Sequence, residues 1–355
     1  MFDIIFFEAL GEEAQHLAEE LAAAQEKALL PANLRAEITP LTLQEYLAAN
    51  PAVELPEIIS IKTHSVPPES WLRSGVKKSI LSRSAGYDHV EHLAEIANVT
   101  SLRNYCVNAV AQTAIKFLYC TAGYLNHYTE NAKTFERNRT ASFRELGPHL
   151  TATVFGCGRI GKRLYELAEA NGLNVQAVDL RADELDKLYG GSVKFVSPEE
   201  AIRTSDIILN AMNLTRIPES RFYNVGYFSE EYLRKGKKGL LFVNVTRGEI
   251  APEAGLLRLY REGRILGIGL DTFSHEPAFT ALIRGQGGTD EADVIAAAQL
   301  LEMAVNRTGN VYVQPHQGFN SDIAAATKAT DAIQHLIAWY ALDKKRFDEQ
   351  LPYYA

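Results

Sequence analysis

Cysteine is scarce in this chain. Three thiols, Cys106, Cys120 and Cys157, are spread over 355 residues. They supply neither a disulfide framework nor the close ligand spacing of a metal centre, so no metal is expected and a reducing cytoplasm is the expected compartment. Long apolar runs are missing as well: no stretch approaches the ~18 residues that a membrane-crossing helix requires. There is no basic excess either. Lys and Arg total 36 against 44 Asp and Glu, a formal charge of −8, which argues against a general affinity for nucleic acid or an anionic membrane. The opening residues, MFDIIFFEALGEEAQHLAEE, carry no basic leader and turn acidic at once. They read as a strand followed by a helix, not as a signal peptide. No internal repeat and no low-complexity tract is visible.

What the chain does have is alternation. FDIIFF precedes EEAQHLAEELAAAQEKALL, IISIKTH precedes PPESWLRSG, and SILSRSA precedes HVEHLAEIAN. Short β-rich runs separated by helical stretches signal a parallel sheet with crossover helices. After a long amphipathic stretch, NAVAQTAIKFLYCTAGYLNHY, a second series begins at Thr151. Its candidate strands are TATVFG, NVQAVDL, VKFV, DIILNAM, LLFVNV, GIGLDTF and VYVQP. Residues 278–309 break the rhythm and are expected to form a loop and a short helix. A last helix follows, with Ser321 and Asp322 as its N-cap candidates. The length suits two domains with separate cores. The fold class expected is α/β, with two doubly wound parallel-sheet domains.

The stretch VFGCGRIGKRL places Gly156, Gly158 and Gly161 between an apolar strand and a helix, the placement that dinucleotide binding requires. The first glycine allows the tight turn, the second lets backbone approach a pyrophosphate, and the third lets helix pack on strand. Arg159 and Ile160 open the helix, whose free N–H groups face the phosphates. The next strand ends at Asp179, 18 residues beyond Gly161. A carboxylate there accepts hydrogen bonds from ribose hydroxyls and repels a 2′-phosphate, which favours NAD over NADP; Arg181 partly offsets the repulsion. A methyltransferase also places glycines after a first strand and an acid after the second, so this region alone leaves both readings open.

The later strands narrow the choice, because ligands of an open parallel sheet sit at the carboxyl ends of its strands. LLFVNV is followed by Arg247, GIGLDTF by Glu276 and VYVQP by His316. These residue types suit carbonyl reduction. Adding a hydride to a ketone develops negative charge on oxygen, so a positioned acid must deliver a proton. Histidine titrates near neutrality and can do so. A carboxylate against the imidazole favours its protonated form and fixes its orientation. Arginine grips a substrate carboxylate with two prongs and polarises the neighbouring carbonyl.

Over nearly its full length the sequence resembles the D-isomer-specific 2-hydroxyacid dehydrogenases. The resemblance is carried by SRSAGYDHV, NAVAQTA, VFGCGRIGKRL, NVTRGEI, GLDTFSHEP and PHQGF. It implies a flavodoxin-like substrate domain built from residues 1–104 and 321–355. A Rossmann NAD-binding domain of residues 105–320 would be inserted between them, with the active site in the cleft and a homodimer as the assembly. It implies that Arg247 binds and polarises the substrate, that His316 exchanges the proton and that Glu276 is the histidine's partner. Thr246 and Asp271 join the glycine loop and Asp179 in holding the cofactor, Asp271 near the nicotinamide carboxamide. Backbone N–H groups around Ala85 and Gly86 would grip the substrate carboxylate. NYCVNAVAQ and HQGF look most like the D-lactate dehydrogenase branch, which turns Tyr105 and Phe319 toward the substrate.

No Lys or Arg cluster stands near those motifs apart from Arg83, so a small apolar 2-ketoacid such as pyruvate is the expected substrate. A larger, charged one would need residues 278–309 to bring Arg284 or Arg307 to the site. The chain departs from the family pattern at Gln112, where an acid usually follows VA, and at Asn213, where proline usually precedes LT. The 40 residues between Glu276 and His316 are also toward the long end. An NAD-sensing corepressor on the same fold remains the alternative from a different functional class.

Overall fold

The computed structural model describes residues 1–135, 137 and 142–354, which fall into two compact units. Residues 136 and 138–141, in the charged stretch before the second β-series, lie outside the described residues. One unit comprises Met1–Cys106 with Asn320–Ala355, the other Val107–Phe319. No helix among the described residues is long and apolar enough to cross a membrane.

The first unit is built on five parallel strands: β1 (Ile4–Phe6), β2 (Ala36–Ile38), β3 (Ile58–Ile61), β4 (Ser79–Ser82) and β5 (Asn98–Ser101). Their order is β2-β1-β3-β4-β5, the flavodoxin-type winding that reverses direction beside the first strand. Central strands reading IIF and IISI are buried along their whole length, as strands covered by helices on both faces must be. β2 and β5 do not stand out by local pattern: Ala36–Ile38 is only half-buried, and Asn98–Ser101 is polar. HVEHLAEIAN shortens to a 3₁₀ turn, Glu91–Leu93. The helix Ala324–Ala341 returns to pack against Glu12–Glu26. Its Thr330 hydroxyl donates to Glu20 at 2.8 Å, and the buried Trp339 indole donates to Ser79 Oγ at 3.0 Å. Neither expected cap serves that helix. Ile323 occupies the N-cap with no side-chain bond, and Ser321 contributes its carbonyl to the N–H of Ala324.

The second unit holds β6 (Thr151–Phe155), β7 (Asn174–Val178), β8 (Ile207–Asn210), β9 (Leu240–Asn244), β10 (Ile265–Leu270) and β11 (Val311–Val313). The order is β11-β10-β9-β8-β6-β7, all parallel. VKFV is reduced to one bridge, Ala177 to Phe195, outside β7. That residual edge extends the winding to the dinucleotide-binding type. Residues 278–309 are more helical than expected. The helix Glu276–Ile283 runs into them, and a full helix, Ala292–Val305, follows. Its Val294, Ala297 and Leu300 are buried in the core of this unit.

Candidate active site

The glycine loop follows β6 directly. Gly156 takes φ +82°, and a Cβ there would lie 2.7 Å from the backbone of Met212, so only glycine fits the turn. Gly158 is the N-cap of the helix Arg159–Ala170 and faces open space. A Cβ on Gly161 would stand 1.8 Å from the Gly156 carbonyl oxygen, so its absence lets the helix close onto the loop. Arg159 and Ile160 form the first turn of that helix. Asp179, just past β7, accepts the Cys157 N–H at 2.8 Å and the Arg181 N–H at 2.9 Å. The loop thus presents bare backbone, a helix N-terminus and an anchored carboxylate, a fit to a dinucleotide. Thr246 follows β9 and accepts a hydrogen bond from Asn210 Nδ2 at 2.9 Å.

Asp179 carries a prediction. The Asp179→Ser variant should raise kcat/KM for NADPH relative to NADH by about tenfold, roughly 1.4 kcal/mol, because a carboxylate facing a 2′-phosphate is removed. Equal efficiency with both cofactors in the unmodified protein would remove Asp179 from that role.

Because β9, β10 and β11 are neighbours in register, the segments leaving their carboxyl ends converge. Arg247, Glu276 and His316 come from those three segments. His316 Nδ1 stands 3.0 Å from Glu276 Oε1 and 3.1 Å from Oε2. Both side chains remain more than a third exposed, so the pair is accessible. Burial raises the Glu276 carboxyl, but the hydrogen bond and charge of His316, the Phe273 N–H and the charge of Arg247 outweigh it and hold the group below its ordinary value. The carboxylate is therefore ionised and ready to stabilise an imidazolium. Arg247 also donates to the Thr246 carbonyl at 2.9 Å.

The histidine's loop is set by Asp271. His316 has φ +52°, a conformation costly for a branched-free but bulky residue and held only by its surroundings. The Asp271 carbonyl accepts the His316 N–H at 2.7 Å, and its two carboxylate oxygens accept the N–H groups of Gln317 and Gly318 at 2.8 and 2.9 Å. A Cβ on Gly318 would lie 2.6 Å from Asp271 Oδ2. The carboxylate expected beside the nicotinamide is thus buried and holds the loop that carries His316.

A second brace was not foreseen from sequence. Glu253 is buried and accepts the Ser274 N–H at 2.7 Å and also the Ser274 hydroxyl. Gly248, directly after Arg247, lies so close to Phe273 and Ser274 that a Cβ would be 1.9 Å from the Ser274 nitrogen. Together these contacts lock the turn bearing Arg247 to the turn bearing Glu276. Burial pushes the Glu253 carboxyl up to about 7, against the lowering effect of the Ser274 bonds. Its folded value lies above its unfolded one, so the folded chain retains a proton that the unfolded chain releases. The associated stability is full below about pH 4.5, declines up to about pH 7 and is lost above it. Glu253→Gln removes this titration. Between pH 5 and 8 the wild type should therefore lose stability relative to the variant, by on the order of 3 kcal/mol at most. Parallel melting curves across that range would reject the reading.

In the first unit, Ala85 and Gly86 form a half-buried turn shortly after the carboxyl end of β4. Tyr105 is buried, and Phe319, the last residue of the second unit, is half-buried. The expectation that Arg83 is the only base near the substrate motifs is corrected. Arg83 is fully buried and donates to Glu13 Oε1 at 2.9 Å and Ser60 Oγ at 2.8 Å. Lys62 Nζ reaches Glu13 at 2.7 Å, and Lys328 Nζ lies 3.8 Å from it and 4.9 Å from the Tyr105 ring centre. Four distant segments build this cluster, so no local motif reveals it. Arg307, by contrast, precedes β11 at the end opposite His316, and pairs with Glu130 at 3.7 Å.

A family model described as D-isomer specific 2-hydroxyacid dehydrogenase, NAD binding domain, matches residues 120–318. Similar curated proteins include a glycerate dehydrogenase of Methylorubrum extorquens, 24% identical over 273 residues, 74% of this chain and 76% of the relative. A glyoxylate reductase of Thermococcus kodakarensis is 29% identical over 211 residues, 56% of this chain and 61% of the relative. Among solved structures, D-lactate dehydrogenase from Aquifex aeolicus complexed with NAD and lactic acid matches with a TM-score of 0.73. Its identity is 22%, covering 97% of this chain and 98% of that one. At that identity the likeness speaks for the fold.

Proposed function

The chain belongs to the D-isomer-specific 2-hydroxyacid dehydrogenases and uses NAD, and from that premise we propose that it reduces a small 2-ketoacid to the D-2-hydroxyacid, in the manner of a D-lactate dehydrogenase. The observation that carries this reading is the accessible His316–Glu276 pair at 3.0 Å, on the segment ends that also present Arg247.

NADH, when bound, supplies the hydride. The chain's own residues do the rest. Arg247 pairs with the substrate carboxylate and polarises the ketone, and the N–H groups around Ala85 and Gly86 hold the same carboxylate. The imidazolium of His316 donates its proton to the ketone oxygen as negative charge develops there. Glu276 keeps that imidazolium charged and aimed, with Nδ1 bound to the carboxylate and Nε2 left for the substrate. Asp271 keeps the histidine's loop in its left-handed turn. Tyr105 and Phe319 meet the substrate's side chain. The assembly is a homodimer and the compartment the cytoplasm.

The test is NADH oxidation with pyruvate, 2-ketobutyrate, hydroxypyruvate, glyoxylate and oxaloacetate, followed by chiral analysis of the product. D-alcohols are expected. L-products, or NADH binding without turnover of any ketoacid, would overturn the proposal, the latter in favour of an NAD-sensing role.

A further inference from the structure

We propose that Glu253 is a positioning residue for proton transfer: by holding Ser274 it fixes the turn from which Glu276 reaches His316. This rests on the preceding reading of that pair as the proton relay.

The turn, Phe273–Glu276, follows β10 and opens the helix Glu276–Ile283. His275 lies in it at φ +50°, a left-handed conformation that a residue other than glycine keeps only when its surroundings hold it. Two adjacent N–H groups of the turn go to two acids. Phe273 N–H donates to Glu276 Oε1 at 3.4 Å, so the carboxylate that faces His316 also folds back on its own turn. Ser274 N–H donates to Glu253 Oε1 at 2.7 Å, and the Ser274 hydroxyl binds Oε2. The first acid is accessible, whereas the second is only 1% exposed.

The helix that Glu253 begins, Glu253–Arg261, does not account for a buried acid. A first-turn carboxyl commonly serves a helix by binding its free N–H groups. Here Asp293, from the helix Ala292–Val305, accepts the Ala254 N–H at 2.9 Å. The Glu253 carboxyl also takes its own N–H, a contact that an exposed acid makes equally well. The other buried residues of the helix, Gly255, Leu256, Leu257 and Leu259, are apolar, and a carboxyl among them is costly unless it is hydrogen-bonded. Packing alone would be met by methionine. Ser274 is what the carboxyl holds, and it keeps both contacts in either protonation state, with one oxygen for the N–H and the other for the hydroxyl.

The two halves of the relay are anchored separately. Asp271 fixes the loop of His316 through the N–H groups of His316, Gln317 and Gly318. The turn of Glu276 is wedged between Glu253 and Gly248, where a Cβ would stand 1.9 Å from the Ser274 nitrogen. Without Glu253 the turn is free to shift while the histidine loop stays on Asp271, so the 3.0 Å pair opens. A misplacement of about 1 Å is enough to cost on the order of 10²-fold in rate.

The test uses the full chain with NADH and whichever of the five ketoacids above it reduces fastest, across pH 5–9. NMR titration of the His316 ring is a second readout that reports the pair directly. Glu253→Met should lower kcat by about 10–100-fold and leave NADH binding as in the wild type. It should also move the reduction profile and the imidazole titration to lower pH, in the direction of Glu276→Gln. Ser274→Ala loses the hydroxyl contact alone and should do the same by a smaller amount, which covers a methionine variant that fails to fold. Glu253→Gln keeps an oxygen for the N–H and a donor for the hydroxyl oxygen, so it should restore the wild-type profile. Leu259→Ala, buried further along the same helix, is the control for lost stability: the melting temperature should fall and both titrations stay in place. Wild-type titrations in the Ser274 and methionine variants, or a glutamine variant displaced as far as the methionine one, would overturn the inference and leave the dehydrogenase reading standing. Failure of the wild type to turn over any ketoacid would overturn that reading and this inference with it.

Discussion

His316→Ala should lower kcat for ketoacid reduction by about 10²–10⁴-fold, the usual range for loss of a general acid, while NADH binding stays as in the wild type. The separation follows from position. The imidazole belongs to the loop after β11, whereas the groups proposed to hold the dinucleotide are the glycine loop after β6 and Asp179 after β7. Glu276→Gln is the informative companion. A neutral amide in place of a carboxylate 3.0 Å from Nδ1 no longer stabilises the imidazolium, so reduction should fall off at lower pH than in the wild type. The reverse reaction, which needs neutral imidazole, should gain at that same pH. Stopped-flow measurement of the chemical step across pH 5–9 checks both. Near-normal reduction by the alanine variant would assign the proton to another group.

Arg247→Ala should raise KM for the ketoacid and lower kcat together. The side chain is assigned two tasks: ground-state binding of a carboxylate, and polarisation of a carbonyl that gains charge only as reaction proceeds. Loss of a charge-assisted contact costs about 1.5–3 kcal/mol, so kcat/KM should fall by roughly 10–100-fold from binding and further from the chemical step. Arg247→Lys should restore part of the binding and little of the rate, because a point charge lacks the paired donors of a planar guanidinium. Unchanged kcat with raised KM would confine Arg247 to binding. No change in either would remove it from the site.

The meeting of His316 with Glu276, and the placement of Arg247 on a neighbouring segment, were legible in sequence because each residue follows a recognisable strand, and strand ends in a parallel sheet share one edge. The glycines were legible for a related reason: their spacing reports a steric need, as the 1.8 Å approach at Gly161 makes plain. β2 and β5 were not. Three or four residues of mixed polarity become strands only because β1 and β4 offer them hydrogen-bonding edges. Residues 278–309 were underestimated because the helix Ala292–Val305 is apolar nearly all round, which blurs the helical period on which its recognition depends. Glu253 and Lys328 were invisible for a third reason. An acid at a helix start and a lysine in a helix look solvated until the fold buries them, and their partners lie 21 residues away in one case and at the other end of the chain in the other.

The first unit takes its residues from both ends of the chain, and this sets a timetable for its synthesis. All five strands of its sheet are synthesised before residue 107, while the helix that seats Trp339 against Ser79 is made only after the whole second unit. At 5–20 residues per second, translating the intervening 107–319 segment takes roughly 10–40 s. For that interval the helix Glu12–Glu26 waits without the helix that packs against it, while the second unit is free to fold as a continuous segment. Nascent chains stalled just before Ala324 are therefore the species most exposed to aggregation and to chaperone capture, and faster translation through the middle of the message shortens their exposure.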